Sequence, residues 1–187
     1  YVICFSMNSI FNLFDNTDWG QYFYVMSDHR GFELYKGMLD SLPVNHIFLS
    51  DNSDVFWSFE HKENIYCHHH HYEYYFNRLP KFSDDFSKKS YAGATVTYNC
   101  MQLAAYMGFK EIYLLGVDFS YGGQTKNETY AHFYKEEKTT SMGFVNQVTL
   151  AYQSAKQYAN QHGFKIYNAT RGGKLEIFER VDFDDLF

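Results

Sequence analysis

Residues 92–121 read AGATVTYNCMQLAAYMGFKEIYLLGVDFSY, and this stretch decides the fold class. A glycine-containing turn at 92–95 is followed by apolar residues that recur at the spacing of one helix face. Gly108 is placed to end that helix, and the apolar run 111–116 predicts a strand covered on both faces. Asp118 follows this strand. Ligands of open α/β sheets bind outside the carboxyl ends of the strands, so the stretch also predicts where a site lies.

The rest of the chain continues the alternation of strands and helices. Further strands are predicted at 1–7, 21–27, 45–50 and 164–168, and further helices begin near residues 32 and 144. Such alternation implies βαβ crossovers and a mostly parallel sheet. The length of 187 residues fits a single domain, 1–187. Residues 51–90 lack clear periodicity, and we interpret them as a variable insertion or lid within that domain.

Composition limits the classes of partner. The net charge of −6 argues against duplex nucleic acid, which requires a basic footprint, but is compatible with a local site for one nucleotide. No apolar run is long enough to predict a membrane span. The 3 cysteines have neither metal-type nor disulfide-type spacing, which favours a reducing, cytoplasmic location. The aromatic content of 21% indicates either a Tyr/Phe-rich core and surface or stacking platforms in a pocket.

Candidate ligand-binding residues stand at the ends of the predicted elements. Asp118 and Asp28 each follow a strand, where a carboxylate can reach a ribose hydroxyl, a metal or a substrate amine; the alternative is a capped turn. Gly93, Ala94 and Thr95 precede the central helix. Their backbone N–H groups and the Thr95 hydroxyl are candidates to cradle a phosphate, and Thr95 is equally a good N-cap.

Histidines and tyrosines supply the candidate acid–base groups. His132 lies in a polar loop after Asp118, and an imidazole suits proton abstraction from a sugar hydroxyl because its pKa is near neutral. Tyr121 is a candidate to donate a hydrogen bond to a leaving phosphate, as are Tyr130 and Tyr134.

Four consecutive histidines, residues 68–71, form a further candidate. They suggest either a zinc site or, as we favour, a solvated tract. Consecutive residues alternate faces in a strand, so at most two of these rings share a face. Arg171 and Lys174 flank a Gly-Gly turn and either contact an anionic ligand or remain solvated.

The run 93–121 resembles the core of the bacterial and archaeal MptE-like family, named after 6-hydroxymethylpterin diphosphokinase and including flagellar motility accessory factors. The segments NSIFNLFDNTDWGQYFYVMSD (8–28) and NATRGGKLEIFERVDFDDLF (168–187) are similar to the beginning and end of that family. GFKEIYLLGVDF (108–119) more weakly resembles bacterial sialyltransferases that use a CMP-activated sugar. Both resemblances imply a Rossmann-like three-layer fold.

These resemblances also imply roles for individual residues. Asn8 matches a family position near the nucleotide, with a turn-forming Asn as the alternative. In the sialyltransferases a histidine downstream of the matching strand is the general base. Alignment places Asn146 there, so either His132 replaces that base functionally or no base is present. Family members begin one strand earlier, with a Gly-rich loop ending in Pro-Ser-Leu that meets the phosphates. The sheet of this chain is therefore expected to lack that first strand.

Three hypotheses about function follow. The first, which the sequence favours, is a glycosyltransferase of cell-envelope glycan synthesis, which would take a CMP-sugar as donor and a small molecule or glycan as acceptor. The second is pyrophosphoryl transfer from ATP to a pterin alcohol, with Mg²⁺ held by Asp28 and Asp118. The third is a binding module that has kept the fold without catalysis.

Overall fold

The computed structural model describes residues 2–16, 21–51, 63–75, 77–120 and 142–186, and every structural statement below concerns these residues. They form nine strands and three α-helices. The strands are β1 Phe5–Met7, β2 Gln21–Met26, β3 Val44–Ser50, β4 Ile65–His68, β5 His70–His71, β6 Ser90–Tyr91, β7 Glu111–Leu114, β8 Lys165–Asn168 and β9 Glu179–Arg180. The helices are α1 His29–Tyr35, α2 Val96–Tyr106 and α3 Met142–His162, with 3₁₀ segments at Asn8–Asn16, Lys36–Ser41 and Phe183–Asp185.

All strand pairings in the described residues are parallel, which confirms the predicted α/β class. One sheet has the order β1-β2-β3-β4, and another has the order β7-β8-β9. Only His69 separates β4 from β5, and β5 pairs in turn with β6. The segment 65–71 therefore joins β3 on one side to β6 on the other.

The second run of strands starts beside the first strand. The ring of Phe109, just before β7, contacts the ring of Phe5 in β1, with centroids 5.6 Å apart. Helix α2 connects β6 to β7 and packs against β1 and β2 on the way. No hydrogen-bonded pairing joins β1 to β7 among the described residues, but the start of the second sheet lies beside the first strand of the first. This position corresponds to the switch point of an open α/β sheet, where ligands bind in such folds.

Helices on both faces of the sheet give the three layers that the resemblance implies. In β2, Tyr24 and Met26 pack with Phe32 of α1, whereas Val25 packs with Val96 of α2. Strands β7 and β8 pack against α3 in a third cluster that contains Tyr98, Leu114, Val148, Tyr152 and Ile166.

Helix α2 is where sequence and structure agree most closely. Thr95 is its N-cap, with the side-chain oxygen accepting a hydrogen bond from the Thr97 N–H, and Gly108 follows its end with a φ of +87°. The predicted apolar face is buried except at Met107, which is 39% exposed. Every residue from Val96 to Ala104 is in fact buried, so α2 is covered on all sides along this length.

Two predictions about burial were wrong. Strand β7 is not covered on both faces, because Tyr113 and the following Leu115 are 37% and 48% exposed; Tyr113 stacks instead on Tyr167 of the neighbouring strand, at 5.2 Å. The solvated-tract interpretation of residues 68–71 fails for His68 and His70, which are buried. Strand alternation explains this, since it turns every second histidine toward the interior.

The predictions of a single domain and of a lid are not tested by the structure. The segment proposed as an insertion or lid, 51–90, contributes β4, β5 and the start of β6 to the sheets, and the single-domain and lid interpretations remain predictions. In the described part of the chain, no helix combines the length and apolar character required to span a membrane.

Candidate functional site

Three backbone positions mark one edge of the sheet. Asn8, Ala94 and Phe119 are the non-glycine residues with positive φ among those described, at 51°, 59° and 54°. Asn8 follows β1, Ala94 precedes α2, and Phe119 lies in the turn after β7. Side chains rarely adopt this conformation, and where they do, the strain is concentrated at functional sites.

Two observations relate these three turns to the same core. The Thr97 hydroxyl, in the first turn of α2, is 3.5 Å from the Met7 sulfur at the end of β1. Ala94 and Phe119 both pack against the cluster that contains Tyr98 and Tyr152. The start of α2 therefore contacts the end of β1 and shares a core cluster with the turn after β7. We call this region, defined by Asn8, residues 93–95 and Asp118, the switch-point site.

The loop before α2 has room for only one residue type at position 93. A Cβ on Gly93 would lie 2.3 Å from Cδ1 of Tyr98. The Tyr98 ring is fully buried, and its hydroxyl donates a hydrogen bond to the Lys81 carbonyl at 2.9 Å, so the ring has little freedom to move away. At Thr95 the capping alternative is the one observed, so the backbone N–H groups are the remaining candidates for phosphate donors in this loop.

A buried glutamine holds this loop in place. Gln102 of α2 is fully buried, and its amide oxygen accepts hydrogen bonds from the N–H groups of Ser83 and Tyr91 at 3.1 and 3.0 Å. Its amide nitrogen donates to the carbonyls of Tyr91 and Tyr98 at 2.9 and 3.2 Å. Sequence reasoning missed Gln102, because it lies on the side of α2 opposite the predicted apolar face, where a glutamine is expected to be solvated.

Asp118 is exposed in the turn after β7, and its backbone is held by the loop after β8. Its carbonyl accepts a hydrogen bond from the Lys174 N–H at 2.7 Å. A Cβ on Gly173 would lie 2.6 Å from the same oxygen. Arg180 braces this loop by donating to the carbonyls of Thr170 and Gly172, at 2.9 and 2.8 Å.

A matched pair of glycine variants tests this contact. Gly172 and Gly173 both have positive φ, at 74° and 73°, but only Gly173 meets the Asp118 backbone. Gly172→Ala should therefore cost about 1–2 kcal/mol of unfolding free energy, from the backbone conformation alone. Gly173→Ala should cost about 2 kcal/mol more, because the new methyl group overlaps fixed backbone. Urea denaturation of the two variants measures the difference, and equal losses would contradict the contact.

Two of the predicted residues, Asp28 and Arg171, have structural partners, and two further residues are exposed. Asp28 is at the start of α1, and its carboxylate accepts the Gly31 N–H at 3.2 Å, which is the turn-capping alternative. Arg171 pairs with Asp184 and lies over the Phe183 ring at 5.4 Å, whereas Lys174 is exposed. Asn146 is exposed on α3.

The remaining predicted residues cannot be placed. His132 and Tyr121, as well as Tyr130 and Tyr134, lie outside the described residues, and their roles remain predictions. Among the described residues, no group of three or more His, Cys, Asp or Glu side chains is arranged to hold a metal ion.

The structure adds a polar cluster that sequence reasoning did not identify. Asp51 directly follows β3, and its two carboxylate oxygens lie 2.7 Å from the His70 N–H nitrogen and 2.7 Å from Nδ1 of His69. The His70 ring is buried against Ser90 and Asn99, with Nδ1 at 2.9 Å from the Ser90 hydroxyl. Asp51 was recognisable as a third aspartate just after a predicted strand.

The two buried imidazoles of this cluster are held neutral. Burial lowers the pKa of His68 to about 3, and the neighbouring His70 ring adds to this effect. Burial also lowers the pKa of His70 to about 4, although the Asp51 carboxylate acts in the opposite direction. Both rings are therefore uncharged near neutral pH.

A separate cavity lies away from the switch-point site. It has a volume of about 200 Å³ and is lined by Lys156 of α3, Lys165 at the start of β8 and Phe178. None of the residues that define the switch-point site lines it. Its position at the amino end of β8 differs from the carboxyl edge, where ligands bind in parallel sheets.

Comparison with known proteins gives one match. The model of the family described as 6-hydroxymethylpterin diphosphokinase MptE-like matches residues 2–124, which is more than half of the 187-residue chain. The matched range runs from β1 through β7 and includes every described residue of the switch-point site. No curated protein and no solved structure shows a significant match.

Proposed function

The chain belongs to the 6-hydroxymethylpterin diphosphokinase MptE-like family, and from this premise we propose that it is a nucleotide-dependent transferase. The reaction that the family description favours is transfer of a diphosphate group from ATP to the hydroxymethyl group of a pterin-like acceptor. The observation that supports the proposal is the contact of the amino end of α2 with the end of β1, together with positive φ values at Asn8, Ala94 and Phe119, which follow β1, β6 and β7.

The loop at 93–95 is suited to the phosphates of the donor. The amino end of a helix offers N–H groups and a positive dipole end, which together favour an anion. Gly93 lets the backbone at the start of the loop approach the Tyr98 ring closely, and Gln102 holds the backbone that leads into the loop. A preorganised loop of this kind loses little conformational entropy when it binds phosphate groups.

Asp118 is the carboxylate best suited to a magnesium ion among the residues first predicted. Its side chain is exposed at the carboxyl edge, whereas Asp28 is engaged in capping α1. Proteins commonly hold Mg²⁺ through one or two carboxylates together with substrate phosphates, so a single available carboxylate fits this ion. When bound, Mg²⁺ would neutralise charge on the phosphate groups.

The competing hypothesis is transfer of a sugar from a CMP-activated donor. It is supported by the resemblance of residues 108–119 to sialyltransferases, a segment that here forms β7 and its flanking turns. Both reactions use the same edge of the sheet for a nucleotide and require a base for the acceptor hydroxyl. They differ in the donor, so one experiment can separate them.

The test is an assay for transfer with purified protein. We expect AMP and a diphosphate ester to form from ATP, Mg²⁺ and 6-hydroxymethylpterin, and no transfer from CMP-activated sialic acid. Asp118→Asn should lower the rate on the order of 100-fold, because a carboxylate at the reacting phosphates is lost. Glu111→Gln is the matched control, since Glu111 is also exposed but lies at the amino end of β7.

Other outcomes would overturn parts of this proposal. Sugar transfer without AMP formation would replace the diphosphokinase reaction by the glycosyltransferase reaction. An unchanged rate in Asp118→Asn would remove Asp118 from the site. Absence of transfer from either donor by the wild-type protein would favour the non-catalytic binding module.

A further inference from the structure

An aspartate–histidine pair lies at the carboxyl edge of β3 and β4. Nδ1 of His69 is 2.7 Å from one carboxylate oxygen of Asp51. An ionised carboxylate can only accept a hydrogen bond, so Nδ1 carries the proton and Nε2 is left as the acceptor. In this tautomer Nε2, the ring nitrogen that does not face Asp51, can act as a general base.

The carboxylate of this pair is held from both sides. Its second oxygen accepts a hydrogen bond from the His70 N–H at 2.7 Å. The side chain of Asp51 is 25% exposed, whereas that of His69 is 56% exposed. A fixed, half-covered carboxylate that orients an accessible imidazole is the arrangement of a base and its positioning residue.

The other histidines nearby do not offer the same arrangement. His68 and His70 are buried, so their rings do not reach a substrate at the surface. His71 is exposed, and its ring lies against Tyr91, with centroids 5.6 Å apart. Among the described residues, the titratable neighbours of the His69 imidazole include Asp51, His68, His70 and His71, the last with ring centroids 6.4 Å away.

The pair is connected to the switch-point site through β6 and α2. The Ser90 N–H donates to the His69 carbonyl at 2.8 Å, and β6 leads directly into the loop at 93–95. Strands β1 and β4 are three strand spacings apart, about 14 Å. A nucleotide at the end of β1, with a second substrate beside it, can span that distance.

We propose that His69 is the general base that deprotonates the acceptor hydroxyl and that Asp51 is its positioning residue. The proposal rests on the proposed transferase function. In the diphosphokinase reaction the acceptor oxygen forms a bond to the β-phosphorus, and the bond from that phosphorus to the oxygen bridging to the α-phosphate breaks. The electron pair of the broken bond leaves with AMP, and the hydroxyl proton moves to Nε2 of His69.

The test compares His69→Gln with the neighbouring His71→Gln as matched control. In the transfer assay, His69→Gln should lower kcat on the order of 100-fold, as loss of a general base does, while His71→Gln stays within about threefold of wild type. Binding of ATP with Mg²⁺, followed by calorimetry, should be unchanged in both variants. The decline of kcat at acidic pH should disappear in His69→Gln, because the group whose protonation causes it is gone.

A second measurement addresses Asp51 independently of turnover. ¹⁵N NMR of the wild-type imidazoles should show His69 with its proton on Nδ1, and Asp51→Asn should shift that population toward Nε2. If Asp51 had a purely structural role, Asp51→Asn would change neither the tautomer of His69 nor the pH profile of kcat.

The outcomes separate this proposal from the proposed function. Transfer by the wild type and by His69→Gln at equal rates overturns only the role of His69. A wild-type His69 ring with its proton on Nε2 overturns the pairing. Absence of transfer by the wild type overturns the proposed function and, with it, the role of the pair.

Discussion

Replacing Gln102 with leucine is expected to lower the free energy of unfolding by about 4 kcal/mol. The side chain is fully buried in α2, and its oxygen is the acceptor for the N–H groups of Ser83 and Tyr91. Leucine has a similar size but cannot accept a hydrogen bond. Two buried N–H groups would then lack this acceptor, and each unsatisfied group costs about 1–3 kcal/mol.

Urea denaturation of Gln102→Leu and of Gln153→Leu provides the measurement. Gln153 is exposed on α3, so its replacement should change stability by no more than about 0.5 kcal/mol. Because Tyr91 leads into the loop at 93–95, Gln102→Leu should also weaken nucleotide binding. A loss below about 1 kcal/mol in Gln102→Leu would mean that this amide does not brace the loop.

Acidification from pH 6.5 to pH 4 is expected to destabilise the fold by several kcal/mol. The pKa of His70 is lowered to about 4 and that of His68 to about 3, whereas both stand at 6.5 without burial. Between pH 6.5 and the lowered pKa values, these two histidines bind protons in the unfolded chain but not in the folded protein. The free energy of unfolding is therefore unaffected by these histidines above pH 6.5, and it falls as the pH drops toward their pKa values in the folded protein. The lowered pKa of His70 alone corresponds to about 3 kcal/mol.

Unfolding free energies measured between pH 7 and pH 4 test this effect. His70→Asn removes one of the two titrating groups, and its stability should depend less steeply on pH in that interval. His71→Gln is the control, because His71 is exposed, and it should retain the wild-type slope. A wild-type stability that does not change between pH 6.5 and pH 4 would show that the imidazoles are not held neutral by the fold.

The elements that sequence alone predicted best are those with long periodic patterns. Helix α2 has an apolar face, a capping threonine and a terminal glycine, and all three signals agree with the structure. Of the strands that come from the irregular middle segment, β5 and β6 have two residues each, whereas β4 has four. Such short strands carry no readable period, and only pairing with neighbours defines them.

The sequence predicts a site at the carboxyl edge of the sheet but does not assign roles to the individual residues there. Asp28 and Thr95 stand where ligands and caps use the same residue types, so sequence could not distinguish the two roles, and the structure shows capping at both. The contact between Asp51 and His69 spans a chain separation that no local pattern encodes. Likewise, the burial of His68 and His70 depends on what covers β4 and β5, not on the histidines themselves.

We infer that a nucleotide donor binds at the carboxyl edge formed by the end of β1, the start of α2 and the turn after β7. This binding site can be located by recording backbone amide chemical shifts while Mg²⁺ and ATP are titrated into the protein. The largest changes are expected at Asn8, at residues 93–95 and at Asp118. Largest changes at the cavity between α3 and β8, around Lys156 and Lys165, or no saturable change at all, would contradict it.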